Sequence, residues 1–438
     1  MADMSSPLIA DYQPERVFAW RAGQPVQSAT ALADIQSLAR ALTGQSAFFN
    51  LCNDRYLFTV LFAAGCQAGA LNLLPQTRHV ETLARIRSDY PKAEAIDDAW
   101  VDRRLSERGA AKDEALNVPE NRAVAVVFTS GSTGQPNPQI KRWGDLARGS
   151  ALLRQRFFTH AEGMNIVASV PPQHMYGLEN SVLLALHAGF AADNARPSMP
   201  WQIADALARL PEPRVLFTTP LQLKACFESG VALPSMDRII SATAPLSAEL
   251  AAAAEQVWAT EVHEIYGSSE TGSIASRETA HTRNWRLYDG LTLEVGAKAT
   301  VRGGQLPEPV TLDDALQAVD ADHFRLLGRA RDLIKVAGKR MSLAELTAQL
   351  LAIDGVQDAA VFASPESATA ERPVALVVAP TRSTRELGAA LARRVDPVFV
   401  PRPLLKVAEL PRNATGKITR ADLASAWGRA RQTAKART

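Results

Sequence analysis

Four segments of the chain hold the residue types that phosphate and carboxylate chemistry requires. The first, Thr129-Ser130-Gly131-Ser132-Thr133-Gly134, combines glycines with hydroxyls. Glycine lets a backbone approach a ligand closely, and hydroxyls with free amides donate to phosphate oxygens. It is not a P-loop: no GxxxxGK[ST] occurs, and Gly416-Lys417 lacks the upstream glycine. Alone, such a loop is more often an ordinary turn. The second, Tyr266-Gly267-Ser268-Ser269-Glu270-Thr271-Gly272, offers an aromatic face, hydroxyls and one carboxylate. A magnesium–nucleotide needs such a set, with oxygen ligands for the metal and a flat surface for the base. The third, 328–340 (GRARDLIKVAGKR), and the fourth, 410–420 (LPRNATGKITR), are charged turns of a kind that is commonly solvated surface.

The elements that must position these segments follow from the apolar patterning. Short β-rich runs occupy 123–129 (AVAVVFT), 165–170 (NIVASV), 214–219 (RVLFTT), 238–243 (RIISAT) and 261–266 (EVHEIY). Helical stretches such as 200–210 and 247–258 alternate with them. Continuous apolar runs alternating with helices indicate βαβ units and a buried parallel sheet. In such sheets ligands bind beyond the carboxyl ends of the strands, where these Gly/Ser/Thr loops lie. Residues 101–122 are highly charged and read as a surface connector after an N-terminal helical region. Beyond about residue 330 the pattern predicts a small α+β domain, with helices over 341–352 and 383–395. The basic tail from Trp427 reads as a solvated, frayed end.

A chain of 438 residues is too long for one ordinary core, so two or three domains are expected. Its 48 Lys+Arg against 46 Asp+Glu leave a net charge of +2, which gives no electrostatic case for nucleic acid. Cys52, Cys66 and Cys226 have no CxxC spacing, so neither zinc nor a disulfide framework is expected. The N-terminus lacks a basic-then-apolar signal, and Tyr56 to Leu74 reads as buried helix rather than a membrane span. A cytoplasmic protein without stable membrane insertion is the expectation.

Taken in order, the four segments resemble the core motifs of the adenylate-forming superfamily of acyl-CoA synthetases and acyl- or aryl-AMP ligases. FTSGSTGQPNP resembles that superfamily's [YF]TSGSTGxPKG, Tyr266 to Glu270 its YGxTE, and the last two segments its GRxDxxIKxxGxRI and LPxTxxGKIxR. The resemblance spans about residues 50–423. It implies a large α/β domain with doubly wound sheets over residues 1–328, with a reduced subdomain at about 1–122. A small mobile α+β domain would follow over 329–438, hinged near Arg331.

The resemblance also implies a reaction and its residues. A carboxylic acid would be joined to ATP with Mg²⁺, giving acyl-AMP and pyrophosphate, and the acyl group passed to a thiol. Thr129 to Gly134 would cradle the phosphates, Tyr266 and Gly267 meet the adenine, Ser269 contact phosphate and Glu270 bind Mg²⁺. Asp314, fourteen positions before Gly328, and Arg329 would hold the ribose, with Asp313 a substitute because Leu312-Asp313-Asp314 departs from TGD. Lys417 would bridge the acid's carboxylate and the α-phosphate. The superfamily's PKG lysine is Asn137 here; either Lys141 takes over its phosphate contact or the loop works without it. Ser342 and Glu345 form a capping box, so Glu345 reads as structural.

His174, Tyr176 and Gly177 lie in a segment resembling PxxHxxG, which borders the acyl pocket, although a lone histidine is as often a packing residue. Ala242, Thr243 and Ala244 stand where relatives have the GGA of SGGAPL, adding volume that favours a flat or compact acid. An aromatic acid resembling hydroxybenzoate or cinnamate is the expected substrate, with CoA or an acyl carrier protein as acceptor. The compact chain looks like ligases of aryl polyene pathways. The alternatives are a fatty acyl-AMP/CoA ligase, or a non-catalytic nucleotide-binding relative that only Asn137 encourages. A Rossmann dehydrogenase is excluded, because no GxGxxG follows a first strand.

Overall fold

The computed structural model describes residues 4–107, 116–130, 136–159, 163–296, 298–329, 333–336, 339–363, 373–412 and 418–436. The protein is mixed α/β, a large N-terminal part followed by a small C-terminal domain. The apolar runs fold as strands, but they divide between two sheets. Ala123–Ser130 belongs to a five-stranded sheet, parallel to Leu71–Leu74 and antiparallel to Pro136–Arg142. Asn165–Ala168, Arg214–Thr218, Arg238–Ser241 and Glu261–Ser268 are consecutive parallel neighbours in an eleven-stranded sheet. Hence the two ligand loops expected at one sheet edge come from two different sheets.

Alternate side chains of these strands enter different cores, which is why the runs are apolar throughout. Ile166, Val215 and Ile240 pack in one cluster, while Val167, Leu216 and Ile239 pack in another on the opposite face. In the smaller sheet Phe48 and Val127 face one core, Phe49 and Val126 the other. A strand covered on both faces loses the alternation that a half-exposed strand shows.

Several segments depart from expectation: the run read as helix from Tyr56 to Leu74 ends in the strand Leu71–Leu74. The charged stretch beginning at residue 101 is not connector throughout: Asp98–Ser106 is a helix capped by Asp97. Its Val101 is fully buried, and Trp100 and Leu105 pack on the same core, so three apolar residues suffice to dock it. The tail from Trp427 is part of the helix Arg420–Ala436. Trp427 is only 3% exposed and meets Phe362 edge-on at 5.3 Å, anchoring a helix whose remaining surface is basic.

The small domain has a core of its own, running from Ile334 to Phe399. Its helices Leu343–Leu351 and Thr384–Ala392 flank a sheet of Asp358–Ala363, Pro373–Val378 and Leu404–Lys406. Ser342 caps the first helix, accepting from the Ala344 and Glu345 amides. Lys224 of the large part donates to the Val356 carbonyl, linking the two units. No helix among the described residues is long and apolar enough to cross a membrane. Cys52, Cys66 and Cys226 are buried free thiols, and burial pushes that of Cys226 up to about 11.

Candidate active site

The carboxyl ends of the parallel strands set out the site. Ala168 aligns with Phe217, Thr218 with Ser241, and Ser241 with Glu264, so the loops that follow share one edge. The buried Arg55 guanidinium secures the first, donating to the Ala168 and Val170 carbonyls at 2.6 and 3.1 Å. Pro171 onward then turns into the short helix Met175–Gly177. Glycine is required at 177, because a Cβ there would fall on the Pro171 carbonyl. The Tyr176 hydroxyl reaches the Ile240 carbonyl at 2.8 Å, and burial holds its pKa well above the usual range. It is therefore an anchored neutral phenol between two strand ends. His174 is half-buried at the N-cap of that helix.

The 242–246 loop follows the neighbouring strand end. Ala242 is buried, and Thr243 has φ +82°, in the left-handed region that a β-branched residue rarely enters. Strain of this kind persists only where neighbours over-determine the backbone. Here Glu264 does so, accepting from the Leu246 amide at 2.9 Å. Glu264 is itself buried and clamped by Arg277, at 2.8 and 2.6 Å, and by Thr279. Arg277 in turn lies 4.4 Å above the Trp285 ring.

Glu261–Ser268 does not end in a strand-to-helix loop. It turns back as the antiparallel strand Gly272–Glu278, with a register shift at Tyr266 and Gly267. Glycine at 267 admits the Gly272 carbonyl, which a Cβ would strike. The Ser268 and Thr271 hydroxyls close the turn on each other's amides. Ser269 and Glu270 project from it; Glu270 is exposed and, among the described residues, has no ion pair. The half-buried Tyr266 ring lies against Trp285 and Phe324, and its hydroxyl donates to Asp314 Oδ2 at 2.6 Å. The Asp314 backbone is paired across the strands with that of Arg329.

Three buried polar side chains that are not among the sequence candidates hold this turn or adjoin it. Glu179 accepts from the Ser273 amide and hydroxyl at 3.0 and 2.6 Å. Gln305 donates to the Thr271 and Ser273 carbonyls at 2.9 and 3.0 Å. Glu264 secures the neighbouring loop. Glu179 leaves one trace, an acid inside the apolar run LENSVLLAL, where a charge needs a partner. Gln305 leaves none.

The glycine-rich loop joins antiparallel strands, Thr129 facing Asn137 and Ser130 facing Pro136. Asn137 is exposed, whereas Lys141 points inward and donates to the Glu270 carbonyl at 3.0 Å. That bond joins the two sheets at the site. Burial lowers the Lys141 pKa, opposed by the charges of Glu179, Glu270 and Asp145. Gly131 to Gly134, Arg331 and Lys417 lie outside the described residues, as do the side chains of Thr129, Ser130 and Arg329.

Strand ends of two sheets joined by the Lys141–Glu270 bond, together with a separate small domain, make this a multidomain α/β protein of the kind that builds sites at strand ends. The chain belongs to the AMP-binding enzyme family, whose model matches residues 45–300. The AMP-binding enzyme C-terminal domain matches residues 345–417. A 4-coumarate–CoA ligase of Rhodobacter capsulatus is 28% identical over 66% of this chain and 72% of its own length. A 3,4-dihydroxybenzoate–[aryl-carrier protein] ligase of Bacillus anthracis is 24% identical over 70% of this chain and 75% of its own. An anthranilate CoA ligase structure with anthranoyl-AMP superposes with TM-score 0.81 at 17% identity, covering 96% and 98% of the two chains. The o-succinylbenzoate CoA synthetase of Bacillus subtilis with ATP and magnesium gives 0.81 at 18%, covering 95% and 99%.

Proposed function

We propose that this protein activates an aromatic carboxylic acid with ATP and passes it to a thiol. In the first step a carboxylate oxygen attacks the α-phosphorus and the bond to pyrophosphate breaks, leaving acyl-AMP. In the second a thiol sulfur attacks the acyl carbon, AMP departs and the thiol proton is released. The difficulty lies in the first step. Two unit charges 4 Å apart repel by about 4 kcal/mol at an effective dielectric of 20. Preorganised donors and cations must offset that repulsion.

The observation that carries this reading is the Tyr266–Asp314 hydrogen bond of 2.6 Å beside the Ser268–Glu270 turn. It puts a ring, a carboxylate able to accept from ribose hydroxyls, and an exposed second carboxylate at one strand end. In this assignment Tyr266 and Gly267 border the adenine, while Asp314 and Arg329 hold the ribose. Thr129 to Gly134 take the phosphates together with Ser269. Lys417 neutralises charge between acid and α-phosphate, and Arg331 is the hinge about which the small domain turns between the steps. The large domain ends at 328.

Glu270 suits Mg²⁺: it is an exposed hard oxygen donor, and that metal is usually held by one or two carboxylates with substrate phosphates. Among the described residues there is no cluster of three or more His, Cys, Asp or Glu that could hold a metal by itself. When bound, Mg²⁺ would supply positive charge to the departing pyrophosphate.

His174, Tyr176, Gly177, Ala242, Thr243 and Ala244 form the acid pocket in this reading. The fixed Tyr176 phenol and the added side chains of Ala242 and Thr243 favour a flat ring. The names of the 4-coumarate and dihydroxybenzoate relatives support an aromatic acid, and they support CoA and a carrier protein alike as acceptor. Use of ATP and a reduced thiol fits the cytoplasm. The test is pyrophosphate release with ATP–Mg²⁺ across benzoates, hydroxybenzoates, cinnamates and C6–C16 fatty acids. Release with aromatic acids is expected; release confined to fatty acids would overturn the substrate class.

A further inference from the structure

We propose that Lys141 is a positioning residue for Glu270, fixing the turn that carries the magnesium-binding carboxylate, with Glu179 as its counter-charge. This rests on the ligase reading above. Lys141 sits in Pro136–Arg142, where the strand alternation sends Ile140 outward, 61% exposed, and Lys141 inward, 8% exposed. A buried ammonium survives only with opposite charge and acceptors around it. Lys141 has both. Its Nζ donates to the Glu270 carbonyl at 3.0 Å, and the buried Glu179 carboxylate holds the other end of the same turn through Ser273.

Glu179 grips the same turn three residues further on. Both of its carboxylate oxygens are engaged by Ser273. It stands in the π-type turn Leu178–Leu183, an irregularity that tends to accompany functional sites. The turn makes room for it: Gly272 has φ +67°, and a Cβ there would strike Glu179 Oε1. Lys141 and Glu179 thus hold Glu270 and Ser273 through main chain and hydroxyl. The Glu270 carboxylate itself is left exposed. A sequestered ammonium bonded to a main-chain carbonyl acts on that carboxylate's geometry and not on the phosphates.

Calorimetric titration of ATP, in excess Mg²⁺ and in EDTA, separates the two roles. In the wild-type protein Mg²⁺ should tighten ATP binding. Lys141→Met should lose that Mg²⁺-dependent gain by about tenfold, with affinity in EDTA unchanged within about twofold. Asn137→Lys added to Lys141→Met should not restore it. Lys141→Met/Glu179→Gln should recover the denaturant midpoint that the single variant loses, because no buried charge is left unpaired, but not the response to Mg²⁺. If Lys141→Met does not fold, Lys141→Gln keeps a donor to the Glu270 carbonyl and should keep most of the Mg²⁺-dependent gain.

Equal loss of affinity in Mg²⁺ and EDTA, or rescue by Asn137→Lys, would make Lys141 a direct phosphate ligand and overturn the proposal. An unchanged Mg²⁺ response in Lys141→Met would overturn it too. Absence of ATP binding by the wild-type protein is a separate result, which would sink the ligase reading and this inference with it.

Discussion

The Tyr266 hydroxyl donates to Asp314 Oδ2 at 2.6 Å, joining residues 48 positions apart at the head of the Ser268–Glu270 turn. The bond orients the carboxylate that we propose for the ribose. Hydrogen bonds to charged groups contribute about 1.5–3 kcal/mol, so Asp314→Ala should raise the KM for ATP by about 10- to 100-fold. Tyr266→Phe removes only the orienting bond and should raise it less. Neither should change the KM for the acid. An unchanged ATP KM in Asp314→Ala would move the ribose contact to Asp313.

Thr243 at φ +82° stores strain of about 1–3 kcal/mol, of which a glycine would return about 0.5–1 kcal/mol through its freer unfolded chain. Thr243→Gly should therefore stabilise the protein by about 1 kcal/mol, read as a higher urea midpoint. It should also open the pocket wall, raising kcat/KM for bulkier acids relative to flat ones. A lower midpoint would show that the Thr243 side chain contributes more than its backbone costs.

His187 gives a pH dependence whose sign is fixed by burial. Among the described residues its ring nitrogens have no hydrogen-bond partner, and the ring meets Trp143 edge-on at 4.9 Å. Burial lowers its pKa from 6.5 to about 4, so the folded protein binds fewer protons than the unfolded chain between those values. Stability is then present above pH 6.5 and lost as pH falls towards 4, by about 3 kcal/mol at 1.36 kcal/mol per unit. His187→Leu should flatten that part of the urea-midpoint profile. A slope unchanged in the variant would assign it to other groups.

Much of this architecture was legible in the residues. Strands buried on both faces wrote themselves as runs such as AVAVVFT, and the motif order pointed to the family that matches over residues 45–300. What was not legible depends on tertiary contact. Nothing in the runs says that Ala123–Ser130 and Glu261–Ser268 belong to different sheets, because both are equally apolar. The helix at Asp98–Ser106 was hidden because three apolar residues among many charges dock it. Gln305 and Glu179 support the Glu270 turn from 32 or more positions away from Ser273, at spacings that no local pattern records. Lys141 was visible as a charge near the glycine-rich loop, but its carbonyl partner was not.

Adenylation of the acid must come before any thiol takes part. A quenched reaction of stoichiometric protein, ATP–Mg²⁺ and an aromatic acid without thiol tests this, analysed for acyl-AMP and pyrophosphate by mass spectrometry. One acyl-AMP and one pyrophosphate per active site are predicted. The same reaction with Lys417→Ala should yield neither, although ATP still binds. Formation of ADP and inorganic phosphate instead, or acyl-AMP in undiminished amount from Lys417→Ala, would contradict this mechanism.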